Sequence, residues 1–323
     1  MRIAIVGAGV SGLAAAYRLR KLGREVVIFE KSGGLGGRVN SRQHKLGYTF
    51  DVGATSLTPR GKTIEKVMLE ELPTTELVKV EKPIWTHSGL RTSPGSSSKN
   101  STPRYCYQNG IQTFANLLGD GLDVRLKTDV LEIKREGTGY RVGDEYFDAT
   151  ILTPPIPQAC QLLWSLGDSR PVANVSYRSC VSVMLGYQAE SETPYHALID
   201  TEQVHPLTWL SVENAKVPGR APAGGSAFVA QLSARFSQQN YAQPDDYFID
   251  ATVTFLKHLY GSAFASPGVA MVKKWKYSQP ESLARFENVN LPGSTLLVAS
   301  DGLLGGHIED AFECGWRTAE LLA

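Results

Sequence analysis

Gly7, Gly9 and Gly12, with the carboxylate of Glu30 beyond them, are spaced for binding a dinucleotide. Gly7 permits a tight turn. Gly9 lets the main chain approach a pyrophosphate, and Gly12 allows close packing of a helix on a strand. Ala8 and Ser11 belong to the same turn, where helix amides meet the phosphates. Glu30 is placed to accept from ribose hydroxyls and would repel a 2′-phosphate, which argues against NADP. Lys31 follows it. A second glycine loop comes next, Gly33-Gly34-Leu35-Gly36-Gly37-Arg38. Its amides can face phosphate, and Arg38 can neutralise that charge with hydrogen bonds.

These residues need a strand, a turn, a helix and a second strand to hold them. Residues 2–6 read as a buried strand, 10–22 as a helix stopped by Gly23, and 25–29 as a second apolar strand ending at Glu30. The uncharged stretch 3–17 mimics a signal peptide. It is too short to span a bilayer, and the glycines interrupt it. No other segment approaches membrane-spanning length, so a soluble, cytoplasmic protein is expected.

The pattern GxGxxG…E…GGxGGR resembles the N-terminus of the FAD-dependent amine oxidase superfamily, which includes monoamine oxidases, phytoene desaturases and renalase. The resemblance implies bound FAD. Asp51-Val52-Gly53-Ala54-Thr55 resembles the family segment beside the flavin ring, although renalase-like proteins usually carry His and Gln where this chain has Val52 and Thr55. Near the C-terminus, residues 295–299 read as a strand. Asp301 and the run from Gly302 to Ala311, with His307 and Ile308, then look like the second FAD motif. Asp301 would approach the ribityl or phosphate region. A helix starting near Ile308 would aim its amides at the flavin N1–C2=O edge and favour the anionic reduced ring. Val130 completes the candidate cofactor contacts.

Lys273-Lys274-Trp275-Lys276-Tyr277-Ser278-Gln279-Pro280 resembles the W-x-Y-x-x-P segment of renalase. Trp275 and Tyr277 share a face if this is a strand. With Thr55 they are the candidate substrate-positioning residues, and no acid or base is assigned. The resemblance to renalase runs the length of the chain. It implies hydride transfer from a dihydronicotinamide to flavin, with electrons passing to O2 to give hydrogen peroxide, so a nicotinamide dinucleotide is the expected small-molecule partner. A flavin amine oxidase and a flavin-binding protein with little turnover are the alternatives. FAD is expected to be noncovalent, because Cys314 is misplaced for attachment. The six histidines are expected to be surface or satisfied structural residues, except His307, which its motif places near FAD.

The fold expected is α/β: a Rossmann-type FAD-binding domain interrupted by an α+β substrate domain with a mixed or antiparallel sheet. Residues 1–80, 122–155 and 270–323 would build the first, and 81–121 and 156–269 the second. Strands are expected at 124–134, 149–153, 179–187 and 208–212, and helices at 111–118, 245–260 and 308–322. Residues 93–103 and 217–226, rich in Pro, Gly and Ser, read as exposed connections.

Composition narrows the function classes further. The 323 residues are 42% hydrophobic and carry a net charge of +1, which suits a globular core and excludes a polycationic nucleic-acid binder. The 4 cysteines form no CxxC pair, so no metal site or disulfide scaffold is indicated. No second GxGxxG marks a separate nicotinamide domain. A monomer or weak dimer is expected.

Overall fold

The computed structural model describes residues 1–89 and 91–323. A five-stranded sheet runs in the order Leu296–Val298, Ala149–Leu152, Arg2–Val6, Glu25–Phe29, Asp123–Arg125, every pair parallel. Parallel strands are covered on both faces, so their sequences (RIAIV, ATIL, LLV) are apolar runs rather than alternations. Helix Val10–Lys21 follows the first strand, and Gly23 leaves it with φ 71°. Helix Ile308–Glu320 crosses it closely. A Cβ on Gly315 would stand 2.0 Å from the Ser11 carbonyl oxygen, and Ser11 Oγ donates to the Ala311 carbonyl at 2.7 Å.

A seven-stranded sheet runs in the order Val269–Pro280, Tyr177–Tyr187, Ser226–Leu232, Leu207–Val212, Ala197–Ile199, Ile84–His87, Thr92–Pro94. It is antiparallel except where Ala197–Ile199 meets Ile84–His87. Alternation assigns its faces. Val181, Val183, Leu185, Phe228 and Ala230 pack with Phe248, Phe255 and Leu256 of helix Asp245–Tyr260. Met184, Ala227 and Val229 face the opposite way, onto Tyr48, Phe50 and Val52. The mixed α/β architecture is the one the sequence implies.

Several local expectations change. Residues 124–134 are not one strand: Asp123–Arg125 and Ile133–Glu136 lie in different sheets. Lys127 turns the chain with φ 55°, and the Thr128 amide donates to the Glu30 carbonyl at 2.9 Å. Residues 93–103 hold the end of strand Thr92–Pro94 and a short helix, Ser97–Asn100, where the Asn100 side chain pairs both polar groups of the Ile84 backbone. Helix Gln112–Gly119 packs on the dinucleotide side, with the Phe114 and Phe312 rings 6.3 Å apart. Strand Val269–Pro280 stands in the seven-stranded sheet, past residue 270 where the sequence places the return to the dinucleotide part. Among the described residues no helix is long and apolar enough to cross a membrane, and no group of His, Cys, Asp and Glu could hold a metal ion.

Candidate functional site

One cavity of about 1410 Å³ runs from the glycine turn to the seven-stranded sheet. Of the candidate cofactor-binding and substrate-positioning residues, all but Ala8 and Gly12 line it. Those two lie beneath the turn. A Cβ on Gly12 would come within 2.1 Å of the Gly7 carbonyl oxygen, which is the close helix–strand approach expected of it. Gly7 has φ 105°, and a Cβ there would meet Thr153 Oγ1 at 2.6 Å. Thr153, which no motif in the sequence marks, donates to the carbonyls of Val6 and Gly7 and braces the turn. A Cβ on Gly9, by contrast, would meet no protein atom within 4 Å. The space over this turn is open, as approach of a pyrophosphate requires.

Glu30 is only 8% exposed. Its carboxylate accepts from the Ala8 amide at 2.8 Å and the Ser32 amide at 2.7 Å. It therefore ties the second strand to the turn, and each oxygen keeps a further lone pair for a ribose hydroxyl. The second glycine loop is pinned to the first, since the Gly36 amide donates to the Ala8 carbonyl at 2.8 Å. Lys31 and Val130 lie at this end of the cavity. These features fit an adenine dinucleotide.

Arg38 binds protein here. Its guanidinium pairs with Asp301 at 2.6 Å and donates to the Ser278 carbonyl at 2.9 Å. The other Asp301 oxygen accepts from the Tyr177 hydroxyl at 2.7 Å. That contact and burial raise the Tyr177 pKa, burial being the larger cause. Gly53 is pressed against this group: a Cβ would stand 1.9 Å from the Arg38 carbonyl oxygen and 3.4 Å from the Trp275 ring. Its carbonyl accepts from the Gln231 side chain, and the Ala54 amide donates to the Arg38 carbonyl at 3.0 Å. Trp275 and Tyr277 share a face of their strand and both line the cavity. The Trp275 indole donates to Ser182 Oγ at 3.1 Å, and the Tyr277 ring meets Tyr177 edge-on at 5.9 Å. Lys273 and Lys276 lie over the two rings.

His307 caps the terminal helix. Asp310 Oδ2 accepts from the His307 amide at 3.1 Å and lies 3.0 Å from the ring Nδ1. The pairing with Asp310 raises the His307 pKa. Ile308 and Glu309 follow at the cavity wall. Glu309 accepts from the Thr58 amide, and burial raises its pKa.

The Thr55 segment rests on a feature invisible in the sequence. Asp51, Glu213, Lys216 and Arg220 are buried together as two acids and two bases. Lys216 uses all three protons, on Asp51 at 2.7 Å, Glu213 at 2.8 Å and the Thr55 carbonyl at 2.9 Å. Arg220 also donates to the Tyr107 carbonyl at 2.6 Å. Despite burial, its basic neighbours hold the Asp51 carboxyl well below the usual range, while its acidic neighbours raise Lys216. The expected exposed connection at 217–226 thus carries the fully buried Arg220, because the compensating carboxylates come from elsewhere in the chain. Arg220 is the one charge inside that Gly/Pro-rich stretch, and nothing local marks it as buried. His87 and His196 also depart from expectation: both are buried, and among the described residues neither Nε2 has a hydrogen-bond partner.

A family model described as flavin containing amine oxidoreductase matches residues 83–323, and one described as NAD(P)-binding Rossmann-like domain matches residues 5–72. A 4,4′-diapophytoene desaturase of Staphylococcus aureus (strain Newman) is 56% identical over 55 residues, which are 17% of this chain and 11% of the desaturase. The chain thus matches about a tenth of the length of such curated relatives. Among solved structures, a protein from Exiguobacterium sp. 255-15 provisionally named a protoporphyrinogen oxidase superposes with a TM-score of 0.79 at 15% identity, over 99% of this chain and 98% of that one. Cyclohexylamine oxidase from Brevibacterium oxydans IH-35A gives 0.75 at 15% identity, over the same shares of each chain. At these identities the likeness is one of fold.

Proposed function

The chain belongs to the flavin-containing amine oxidoreductase family, and on that premise we propose that it is an FAD-dependent oxidase of renalase-like type, oxidising an isomeric dihydronicotinamide dinucleotide with O2 as electron acceptor. Bound FAD would supply the hydride acceptor. Gly7, Gly9, Ser11, Gly36 and Gly37 would offer main chain to its phosphates, Glu30 would accept from its ribose, and Lys31 and Val130 would flank the adenosine end. Asp301, held by Arg38 and Tyr177, would lie at the ribityl or phosphate region and accept from ribityl hydroxyls. The amides that open the terminal helix at Ile308 would stabilise negative charge on the ring. Thr55, Trp275 and Tyr277 would position a flat substrate ring. No side chain is asked to move a proton in the hydride step.

The observation that carries this reading is the single cavity, which joins one dinucleotide cradle to an aromatic wall on the seven-stranded sheet. We place the cofactor part on the five-stranded sheet and its helices, and the substrate part on the seven-stranded sheet. The attachment is noncovalent on this reading. Cys314 is fully buried inside the terminal helix, and burial pushes its thiol up to about 12. Denaturation is therefore expected to release yellow flavin.

Anaerobic stopped-flow tests the substrate class. Rapid bleaching by 6-dihydroNAD(P), with slow or no bleaching by ordinary NAD(P)H and primary amines, is the result expected. Bleaching by a primary amine alone would overturn the reading in favour of an amine oxidase.

A further inference from the structure

The face of the seven-stranded sheet that meets the cavity carries a polar row. Lys273 stands directly across from Ser182, and Ser182 directly across from Gln231. Residues opposite one another in paired strands share a face. By alternation it is the face of Met184 and Val229, which pack with Tyr48, Phe50 and Val52. Gln231 and Lys273 both line the cavity. Two strand spacings put their Cα atoms about 10 Å apart.

Gly53 ties this row to the candidate substrate wall. Its carbonyl accepts from Gln231 Nε2, and a Cβ on it would stand 3.4 Å from the Trp275 ring. The Trp275 indole in turn donates to Ser182 Oγ. A carbonyl can only accept, so the Gln231 amide must turn its nitrogen to Gly53. That leaves Oε1 for the cavity. Among the described residues this oxygen accepts no hydrogen bond, and it keeps surface open to the cavity.

Lys273 is partly exposed and forms no ion pair or hydrogen bond among the described residues. Its ammonium lies 5.0 Å from the centre of the Trp275 ring. One end of the row therefore offers an acceptor and the other a charged donor. An alkylammonium ion suits the first and is repelled by the second. A carboxylate suits the second and has no proton for the first. A primary carboxamide is neutral and flat, with an N–H for Gln231 and a carbonyl for Lys273. Trp275 beside the row gives a ring bearing such a group a surface to stack on.

We propose that Gln231 and Lys273 form a substrate subsite for a primary carboxamide on a flat ring, with Gln231 Oε1 accepting its N–H and Lys273 Nζ donating to its carbonyl. The assignment deepens the dihydronicotinamide reading and rests on it in taking this face of the sheet as the substrate's.

Equilibrium dialysis of the FAD-loaded protein against labelled nicotinamide tests it, with methyl nicotinate, a flat ester without an N–H, as competitor. Wild type is expected to bind nicotinamide at one site, and the ester roughly fivefold more weakly. Gln231→Leu should erase that preference, which a merely structural role for Gln231 would leave in place. Lys273→Met should weaken both ligands alike, roughly tenfold, since both carry the carbonyl. It should also let benzylamine compete, which wild type does not. Failure of wild type to bind nicotinamide would overturn the proposal, as would equal binding of the ester or competition by benzylamine. So would a preference that survives in Gln231→Leu with FAD content equal to wild type. Should Gln231→Leu lose FAD, the two ligands on wild type and benzylamine on Lys273→Met carry the comparison. Nicotinamide bound with these preferences, but no bleaching by 6-dihydroNAD(P), would leave the subsite standing and remove the hydride-donor reading. Rapid bleaching with the preference intact in Gln231→Leu would do the reverse.

Discussion

Arg38 and Asp301, 263 positions apart in the chain, form an ion pair of 2.6 Å at the cavity wall. The pair joins the second glycine loop to the C-terminal motif, as the Ser11–Ala311 hydrogen bond joins the first glycine turn to it. Asp301 is 4% exposed and Arg38 about a third exposed, so the carboxylate is the partner that cannot turn to water. Its second oxygen is held by Tyr177.

Removing the base should therefore cost more stability than removing the acid. Arg38→Ala leaves the buried Asp301 carboxylate without its cation, and a loss of about 3 kcal/mol is expected. Asp301→Ala leaves a guanidinium that is a third exposed and still bound to the Ser278 carbonyl, so it should cost less stability, yet it should lose most of the bound flavin. Thermal unfolding with and without added FAD, and the flavin-to-protein absorbance ratio, measure both. Equal effects of the two substitutions would show that the pair acts only as a surface contact.

Glu30 makes a second, separable prediction. Its oxygens accept from Ala8 and Ser32, so it shapes the turn as well as facing the cavity. Glu30→Ala should lower FAD affinity at least tenfold, since bonds to a charged acceptor contribute about 1.5–3 kcal/mol each. Glu30→Gln keeps one acceptor and should fall between. Ultrafiltration at graded FAD concentrations reads the dissociation constant directly. Unchanged affinity in Glu30→Ala would remove Glu30 from the ribose.

The dinucleotide half was legible because its chemistry is local. Gly7 to Glu30 is one strand–turn–helix–strand, and each residue's part follows from neighbours a few positions away. Trp275 and Tyr277 were legible as a face of a strand, since alternation alone sets that. What could not be read was pairing at a distance. Arg38 looked like a phosphate ligand because nothing in its loop reveals Asp301 or Tyr177. Arg220 looked exposed because its stretch is rich in glycine and proline, while Asp51, which compensates it, precedes it by 169 positions. The 124–134 run alternated like a strand, but a left-handed Lys127 breaks it where Glu30 needs a neighbour.

The buried cluster predicts a variant that folds poorly and changes the flavin's surroundings. Lys216→Met leaves Asp51 and Glu213 with one cation between them and frees the Thr55 carbonyl. Breaking a buried pair in this way costs about 3–5 kcal/mol. The sign of the pH dependence follows from Asp51. Its folded-state pKa is depressed, so the unfolded chain binds more protons as pH falls through the acid range. Stability present above the unfolded carboxylate's pKa is lost as pH drops toward the folded one. Lys216→Met weakens the depression, so its acid limb should be shallower than wild type. Chemical denaturation at stepped pH measures this. A purely structural cluster would lower stability in Lys216→Met while leaving the bound-flavin absorbance bands in place. A shift of those bands would instead mark Thr55 as facing the ring.

His87 and His196 set a second, milder pH response. His196 Nδ1 lies 2.5 Å from the Lys82 carbonyl, so that nitrogen carries the proton and Nε2 is the unpartnered acceptor. His87 is the reverse case: its Nδ1 accepts from the Gly89 amide at 3.2 Å, so Nε2 carries the proton, with no close hydrogen-bond acceptor among the described residues. Protonation would put an N–H at His196 Nε2 with nothing to receive it, and at His87 Nδ1 against the donor it now accepts from. Burial, the larger cause in both, lowers each pKa from the ordinary 6.5 to about 4. Between those values the unfolded chain holds more protons than the folded one, so stability falls as pH falls from 6.5 toward 4. The slope is at most about 1.4 kcal/mol per pH unit for each imidazole. Thermal unfolding at pH 5 and pH 7 should show a difference that His196→Asn and His87→Gln each reduce, and that the double variant largely removes. A wild-type melting temperature flat across that interval would mean that both rings find water or a partner when protonated, and that their burial costs the fold nothing in acid.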